Sequence, residues 1–431
     1  MTDRRTFLKQ AGLLAASLPL GARALAADIP DAVPTFSTNP TEKWAQFRAL
    51  FELDYSLAHF SNFLITSHPK PVRQAIEQFR AELDRNPAAA VDYESEAIWK
   101  HEDNARNWAA NYLGVKPAQI ALTGSTTEGL ALIYGGIHIR ADQELLTTEH
   151  EHSAAYAAMR FRKEREKTQM REIRLYGDDP QGISSEQILH TLKSNLRPNT
   201  RVLALTWVHS GSGVKLPIGE IGKLVRELNQ GRSEDDRLLL VVDGVHGFGI
   251  ENVSFADLNC DYLIAGTHKW IFGPRGTGII CSATATMSNM SPLVGSFSRP
   301  DDSFATVMSP GGYHSFEHRW ALGRAFELHL LLGKADVQAR IHGLNSYLKQ
   351  RLQTLKGVKL VTPISPEFSA GFTFFKTPHV DEDAIAAYLT RNGVIVDAVN
   401  RDVGPVVRMA PGLLNTEADV DRAIALLAKQ L

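Results

Sequence analysis

Two residues able to do covalent and acid–base chemistry each follow an apolar run near the middle of the chain. Asp243 ends the run 238–242, and Lys269, 269 − 243 = 26 residues later, lies between the apolar stretches 263–265 and 270–272. A continuous apolar run is typical of a buried strand in a parallel sheet, and functional groups gather where such strands end. A lysine among apolar residues tends to lose its proton, and the neutral amine can form an imine with an aldehyde.

The pair suits pyridoxal 5′-phosphate (PLP) as a cofactor. In a PLP site a lysine forms the Schiff base, and a carboxylate keeps the pyridine nitrogen protonated so that the ring can accept electrons. Taken singly, Asp243 is also explained as a turn acid or a helix N-cap, and Lys269 as a solvated surface group. The spacing of the two residues, followed by the Gly-rich turn 273–278, favours the cofactor site.

A phosphate site is predicted at residues 120–130, which have the pattern of a strand, a hydroxyl-rich turn and a helix. Ser125 and Thr126 would present hydroxyls and backbone N–H groups at a helix N-terminus, where the dipole favours an anion. His268, next to the lysine, is a further phosphate donor. The alternative is an ordinary N-cap with Glu128 in the first turn.

Two histidines follow the apolar pair 145–146. The imidazole of His152 could stack on the cofactor ring and relay protons near neutral pH. If the segment is a strand, His150 and His152 share a face and form a candidate metal pair instead.

Arg408 ends the β-branched run 406–407 near the C-terminus. Its guanidinium fork matches a substrate carboxylate, and a structural ion pair is the alternative.

These motifs, in this order, resemble the class V aminotransferase family of PLP enzymes, which contains cysteine desulfurases, kynureninase and isopenicillin N epimerase-like proteins. The resemblance extends from about Asp54 to the C-terminus. It rests on Phe60-Ser61-Asn62-Phe63, Thr123-Gly124-Ser125-Thr126-Thr127-Glu128, Glu151-His152-Ser153, Asp243-Gly244-Val245-His246, His268-Lys269, Gly273-Pro274-x-Gly276, Arg408 and Asn415-Thr416-Glu417. It implies PLP fold type I, in which a large α/β domain with a mostly parallel seven-stranded sheet is joined to a smaller C-terminal α+β domain. It also implies a homodimer with its active sites at the subunit interface.

The resemblance assigns roles to individual residues of this chain. They are Lys269 as Schiff-base lysine, Asp243 at the pyridine nitrogen, His152 stacked on the ring, His246 at the ring hydroxyl, Ser125, Thr126 and His268 at the phosphate, and Arg408 at the substrate carboxylate.

The chain departs from the family pattern at two places. Where the family often has an asparagine facing the ring, His209 or Ser210 must take that role, or it is lost. No Gly-Thr follows Phe316-Glu317, so the family's phosphate contact to a neighbouring subunit is in doubt.

The chain contains two cysteines, Cys260 and Cys281, and both have the sequence surroundings of core residues. A desulfurase needs an exposed, mobile thiolate close to the C-terminal arginine, and no cysteine follows Cys281. We therefore expect no desulfurase activity. A disulfide between the two is open in an oxidising compartment.

The first 26 residues have the organisation of an export signal. Arg4-Arg5-Thr6-Phe7-Leu8-Lys9 precedes a short apolar run at 11–18 and the small-x-small site Ala24-Leu25-Ala26. The paired arginines match the twin-arginine pattern, whose machinery exports folded proteins. We expect cleavage after Ala26 and a periplasmic enzyme. A basic amphipathic start is the alternative.

Composition sets further limits. The 431 residues carry a net charge of −2, which does not indicate nucleic acid or an anionic membrane surface as partner. No apolar run after the signal is long enough to span a bilayer. The domain prediction is a signal at 1–26, an N-terminal segment at 27–70 that packs on the small domain, a large PLP domain at 71–320, and a small domain at 321–431 that begins with a linking helix.

We expect an enzyme that acts at the α-carbon or amino group of an amino acid, or of an amino-acid side arm in a secreted peptide. The same core residues serve transamination, epimerisation and decarboxylation, so the sequence leaves the reaction open. Exported proteins of this family resemble enzymes that mature the siderophore pyoverdine. Two alternatives are a PLP-binding protein without catalysis and a metal-dependent hydrolase, with ligands from His150, His152, His209, His246 and His268.

Overall fold

The computed structural model describes residues 34–92, 97–295, 302–377 and 379–431. The predicted twin-arginine signal lies outside these ranges, as do residues 27–33 of the predicted N-terminal segment.

Thirteen strands lie in the described part of the chain. They are β1 (Ala58–His59), β2 (Ile120–Thr123), β3 (Glu144–Thr148), β4 (Gln169–Ile173), β5 (Thr200–Thr206), β6 (Leu239–Asp243), β7 (Tyr262–Gly266), β8 (Gly278–Ser282), β9 (Lys359–Leu360), β10 (Thr373–Lys376), β11 (Val394–Ile395), β12 (Asp397–Arg401) and β13 (Gly404–Met409).

Fourteen α-helices accompany them within the same described ranges. They are α1 (Pro40–Arg48), α2 (Lys70–Arg85), α3 (Pro87–Ala90), α4 (Ala97–Leu113), α5 (Thr126–Gly136), α6 (Ser153–Glu166), α7 (Ser185–Asn195), α8 (Ile218–Leu228), α9 (Phe255–Leu258), α10 (Phe304–Val307), α11 (Phe316–Leu332), α12 (Lys334–Gln353), α13 (Glu382–Arg391) and α14 (Glu417–Leu427).

The large sheet has seven strands in the order β2-β8-β7-β6-β5-β3-β4. Only β8 runs antiparallel to its neighbours, while the pairs β7–β6, β6–β5, β5–β3 and β3–β4 are parallel. Successive residues of β5 enter different hydrophobic cores, with Leu203 and Leu205 on one side and Val202 and Ala204 on the other. Both faces are therefore covered, as in a fold type I enzyme, and the predicted fold class is confirmed.

Six of these seven strands have largely apolar runs that predict strands from the sequence, and all six are buried along their whole length. The residues of β4 are mostly polar and partly exposed, so its sequence does not predict a strand. β4 lies at the sheet edge, where a strand has one neighbour and tolerates polar side chains.

The C-terminal part forms a four-stranded antiparallel sheet in the order β12-β13-β10-β9. The N-terminal segment contributes β1, which pairs in parallel with β11. The linking helix predicted at the start of the small domain is two helices, α11 and α12, because Gly333 between them has a φ of 82°. The predicted domain boundaries stay predictions.

Candidate active site

Asp243 is the last residue of β6 and is buried at the carboxyl edge of the large sheet. Its register partners are Thr206 on β5 and Ile264 on β7. The amide of Val245 donates to Asp243 Oδ1 at 3.1 Å. Burial raises the pKa of the carboxyl to about 6, against the opposing effects of the Val245 hydrogen bond and of the Lys269 charge. Asp243 is thus an ionised carboxylate at neutral pH, enclosed by protein.

Lys269 lies three residues after the end of β7. Thr66 Oγ1 contacts the carbonyls of His268 and Lys269 at 3.1 and 3.3 Å, which holds the backbone of the lysine in place. Burial lowers the pKa of the amine to about 8, with Asp243 opposing and the charges of Arg408 and Arg401 adding to the shift. A substantial neutral fraction is therefore present near neutral pH, as a nucleophilic amine requires.

The predicted phosphate residues meet at the N-terminus of α5. Ser125 is its N-cap, with Oγ accepting from the amide of Glu128 at 3.1 Å. The amide of Gly266 donates to Thr126 Oγ1 at 2.7 Å. A Cβ at Gly266 would lie 2.9 Å from both Thr126 Oγ1 and His268 Cε1, so only glycine permits this approach. Hydroxyl, imidazole and helix terminus thus form one cradle suited to an anion.

The ring of His268 is oriented by a contact of 3.3 Å between its Nδ1 and the carbonyl of Thr277. Burial lowers the pKa of the imidazole. A neutral ring that donates from Nδ1 has an unprotonated Nε2, and an adjacent phosphate would favour the protonated form, which donates from both nitrogens.

His152 is the N-cap of α6, and its Nδ1 accepts from the amide of Ala154 at 3.1 Å. Burial, together with the charges of Arg401, Lys269 and Arg408, lowers its pKa to about 4. The ring is therefore neutral at pH 7 with its proton on Nε2. The stacking of this ring on the cofactor and its relay of protons both stay predictions.

His246 is buried, and Trp270 Nε1 donates to its Nδ1 at 3.3 Å. Its ring centroid lies 4.6 Å from that of Phe372. Burial lowers its pKa well below the usual value, so the neutral ring carries its proton on Nε2. That tautomer can donate to a ring oxygen of a cofactor, as the resemblance implied.

Arg408 is buried on β13 and forms an ion pair with Asp397, its register partner on β12. Arg408 Nη1 also donates to the carbonyl of Ser210 at 3.1 Å, and the guanidinium lies 4.8 Å from the Phe63 ring centroid. Ser210 Oγ accepts a hydrogen bond from Arg401. Of the two partners that the sequence left open for Arg408, a substrate carboxylate or a structural acid, the structure contains the structural acid, Asp397.

His150 was a candidate metal ligand, and the structure gives it another role. Its Nδ1 donates to Asp402 Oδ2 at 2.6 Å, and its Nε2 accepts from the amide of Leu175 at 3.2 Å. Its ring stacks on Tyr176 with centroids 3.8 Å apart and planes inclined by 10°. Both nitrogens are thus engaged within the protein. The described residues contain no group of three or more His, Cys, Asp or Glu side chains able to hold a metal ion.

A buried polar cluster next to Asp243 brings together Glu151, Thr206 and His209, and the sequence did not predict this proximity. Glu151 accepts hydrogen bonds from Thr148 Oγ1 at 2.7 Å and Thr206 Oγ1 at 2.5 Å. Burial raises its pKa to about 8, a shift increased by the charge of Asp243, so Glu151 is mostly protonated at neutral pH.

His209 lies between Glu151 and Tyr176. Its Nε2 is 4.0 Å from Glu151 Oε1, and its Nδ1 is 2.6 Å from the Tyr176 hydroxyl. It is fully buried. His209 and Ser210 lie where the family often has an asparagine facing the ring. The structure places His209 in this cluster, and Ser210 accepts hydrogen bonds from Arg401 and Arg408.

The arrangement fits PLP. It combines an anion cradle that a Cβ at Gly266 would fill, a buried carboxylate at Asp243, and Lys269 with a pKa lowered by burial. Together with the sheet order, these features define a PLP-dependent enzyme of fold type I, in which Ser125, Thr126, Gly266 and His268 would hold the phosphate.

The model of aminotransferase class V matches residues 65–422, and the chain belongs to this family. It is 26% identical to the isopenicillin N epimerase of Amycolatopsis lactamdurans over 399 residues, covering 88% of this chain and 96% of that protein. It is 23% identical to a probable cysteine desulfurase of Vibrio cholerae serotype O1, covering 89% and 96%.

Solved structures agree on the fold. A cysteine desulfurase from Thermococcus onnurineus NA1 superposes with a TM-score of 0.75 at 19% identity, covering 90% of this chain and 97% of that chain. A C-DES variant with glycine covalently linked to its PLP cofactor gives a TM-score of 0.77 at 20% identity, covering 88% and 98%. The protein is a PLP-dependent enzyme of the class V type, and its cofactor is pyridoxal 5′-phosphate.

Proposed function

We propose that this protein is a periplasmic PLP-dependent enzyme acting at the α-carbon or amino group of an amino acid, or of an amino-acid side arm in a secreted peptide. The observation that carries the proposal is the lowered pKa of Lys269, about 8, beside the buried carboxylate of Asp243. A protein that only stored the cofactor would not need a lysine ready to exchange protons near neutral pH.

Each residue of the site has a role that follows from its position. When bound, PLP supplies an electron sink for the bonds at the substrate's α-carbon. Asp243 would hold the proton on the ring nitrogen, and the cradle of Ser125, Thr126 and His268 would hold the phosphate. The neutral ring of His152 would face the cofactor ring. The Nζ of Lys269 would remove or return a proton at the substrate's α-carbon.

The cysteines argue against desulfuration, although desulfurases are among the relatives. Cys260 and Cys281 are free and buried, and burial raises the pKa of both thiols well above the ordinary value. Neither can serve as an exposed thiolate that accepts a persulfide. We therefore favour transaminase, decarboxylase or epimerase chemistry.

The periplasmic location and the class of substrate are supported by the N-terminal sequence. The motif Arg4-Arg5-Thr6-Phe7-Leu8-Lys9 and the cleavage signal ending at Ala26 favour export by the twin-arginine machinery. An exported PLP enzyme is suited to modifying an exported product, and we propose a pyoverdine siderophore precursor as the substrate. None of the described helices is long and apolar enough to cross a membrane.

The test is mass spectrometry of pyoverdine precursors and of free amino acids after incubation with purified, PLP-loaded enzyme. We expect a change confined to the amino-acid side arm of the precursor, seen as a mass difference or, for epimerisation, as deuterium taken up at the α-carbon in D2O, and no change with the Lys269→Ala variant. A precursor left intact by an enzyme that converts free amino acids would overturn the siderophore proposal. Transamination and decarboxylation change the mass by different amounts, whereas epimerisation in H2O leaves it unchanged.

We also propose that the enzyme is a homodimer, as the family resemblance implies. Leu64 and Ile65 are 49% and 52% exposed, although large apolar side chains usually avoid water. They immediately precede Thr66, which contacts the backbone of Lys269, so a partner covering them would lie beside the site. Light scattering of the purified protein should give twice the mass of the chain.

A further inference from the structure

Asp397, Arg408 and Phe374 lie side by side on three neighbouring strands of the small sheet. Asp397 on β12 and Phe374 on β10 are both register partners of Arg408 on β13, the strand between them. Register partners point their side chains to the same face of a sheet. The three side chains therefore form one cross-strand row with the guanidinium in the middle, and the backbone fixes the place of each.

Ring contacts connect this row to the surroundings of Lys269. The guanidinium of Arg408 lies 4.8 Å from the centroid of the Phe63 ring, and that centroid lies 6.3 Å from the centroid of the His246 ring. Trp270, the residue after Lys269, donates from Nε1 to His246 Nδ1 at 3.3 Å. Phe63 thus contacts both Arg408 and His246, a residue of the predicted cofactor site.

Arg408 has a donor to spare. One of its Nη2 hydrogens is directed to Asp397 in the ion pair, and Nη1 donates to the carbonyl of Ser210 at 3.1 Å. Nε is buried and has no acceptor among the described residues. A buried N–H without an acceptor is costly, and in a binding site the ligand can supply the missing acceptor. The guanidinium therefore has room for one more anion.

The two acceptors hold the guanidinium in one orientation. Asp397 takes Nη2 from β12, and the carbonyl of Ser210 takes Nη1 from the loop after β5. A planar group held at two of its three nitrogens cannot turn, so the third nitrogen, Nε, also keeps its direction. An arginine that is oriented before binding loses less conformational freedom when it meets a carboxylate.

Competition between Asp397 and a substrate for the same donor is the alternative. It would require the carboxylate of Asp397 to leave the arginine, although its backbone is paired with Arg408 at the start of an unbroken register that extends to Arg401 and Gly404. The side chain of Asp397 is 22% exposed, and separating a largely buried acid from its partner is costly. The open Nε makes such a separation unnecessary.

We propose that Asp397 is a positioning residue for substrate binding, which holds the guanidinium of Arg408 so that its Nε and remaining Nη hydrogens meet a carboxylate of the substrate. The inference rests on the proposed function and on the role that the family resemblance implies for Arg408. It adds a requirement on the substrate, namely that the reacting amino acid or side arm carries a free carboxylate.

A pair of carbonyl reagents tests this without knowledge of the natural substrate. With aminooxyacetate and with methoxyamine, the aminooxy nitrogen forms the new double bond to the cofactor carbon, and Lys269 Nζ leaves as an amine with both protons of the reagent. Only aminooxyacetate carries a carboxylate. The ratio of the two rates, measured in the holoenzyme from the loss of the cofactor absorption band, therefore reports binding of the anion.

Asp397→Ala should lower the preference for aminooxyacetate about tenfold, the scale of a lost charge-assisted hydrogen bond, and leave the methoxyamine rate unchanged. Asp397→Thr, which suits a strand and also lacks the carboxylate, should show the same loss. Asp397→Asn keeps an oxygen acceptor at this position and should recover most of the preference. Asp421→Ala is the matched control, because it removes the ion pair with Arg351 between α14 and α12, and should keep the wild-type preference.

Circular dichroism and the cofactor band check that each variant is folded and loaded. The inference is overturned if the preference persists in Asp397→Ala and Asp397→Thr, or if it rises, since a rise would show that the acid competes with the substrate. It is also overturned if Asp397→Asn recovers nothing, or if Arg408→Gln keeps the preference. A different result would overturn the proposed function itself, namely that neither reagent changes the spectrum of wild-type protein incubated with PLP.

Discussion

His150 Nδ1 donates to Asp402 Oδ2 at 2.6 Å and joins two residues that are 252 positions apart in the chain. His150 lies two residues after β3 of the large sheet, and Asp402 lies in the turn between β12 and β13. The contact fixes the tip of this hairpin at the edge of the candidate site. It thereby sets the position of Arg401, the neighbour of Asp402.

Replacing Asp402 by Asn should weaken this link. A charge-assisted hydrogen bond between buried groups contributes about 1–3 kcal/mol, so the free energy of unfolding should fall by that amount. Denaturant unfolding monitored by tryptophan fluorescence measures it. Glu164→Gln is the control, because its ion pair with Arg160 is long, at 3.9 Å, and exposed, and should contribute under about 1 kcal/mol. Equal midpoints for the two variants would show that the hairpin is held by other contacts.

Lys269→Ala should abolish covalent attachment of the cofactor. Wild-type protein treated with borohydride should retain a reduced pyridoxyl group on the peptide that contains Lys269, and the variant should retain none. Lys334→Ala is the control lysine, because burial also lowers its pKa to about 8 but its amine contacts the carbonyls of Tyr112 and Val253. An unchanged absorption band in Lys269→Ala would reject the assignment.

The pH dependence of cofactor affinity should follow Asp243. Its pKa of about 6 means that the carboxyl is ionised above that pH and protonated below it, where it no longer attracts a protonated pyridine nitrogen. PLP affinity of the wild-type protein, titrated by absorbance, should therefore fall as the pH drops below about 6. Asp243→Asn should bind roughly 10- to 100-fold more weakly at pH 7.5, and its affinity should lack this acidic decline. A decline of the same size in the variant would assign it to another group.

Glu151 should make the cofactor-free protein less stable as the pH rises. Its folded pKa of about 8 lies above the ordinary value of 4.5, so the folded state binds the extra proton between these limits. Its stabilising contribution is complete below about pH 4.5 and is lost as the pH rises through about 8. Glu151→Gln stays neutral, so its stability relative to wild type should increase over this window, by on the order of a few kcal/mol. Thermal unfolding at several pH values tests this, and a constant difference would show that Glu151 is ionised in the folded protein.

Gly266→Ala should weaken cofactor binding, because the added Cβ would lie 2.9 Å from Thr126 Oγ1 and from His268 Cε1. Overpacking of this kind costs about 1–3 kcal/mol, which corresponds to a loss of PLP affinity of at least about fivefold. Gly182→Ala is the control, since a Cβ there meets nothing within 4 Å. Equal affinities for the two variants would remove Gly266 from the phosphate cradle.

Much of the architecture could be predicted from the sequence because its signals are local. The runs that form β5, β6 and β7 are apolar throughout, as expected for strands covered on both faces. β4 and β12 lie at sheet edges, have mixed polarity and were missed for that reason. The turn at Gly333 was missed because the apolar pattern continues through it, and only its positive φ shows that one helix ends there.

The sequence by itself predicted Lys269 and Asp243 as the reactive pair, because each follows an apolar run typical of a buried strand. Only the structure showed that these two strands, β6 and β7, are neighbours in the sheet. The tertiary structure alone decided how Arg408 is paired and how His152 is protonated. The pairing of Asp397 with Arg408 depends on the register of β12 against β13, and the low pKa of His152 depends on charges brought to it by the C-terminal hairpin. Burial and electrostatic effects act through space, and the distances that control them exist only once the chain has folded.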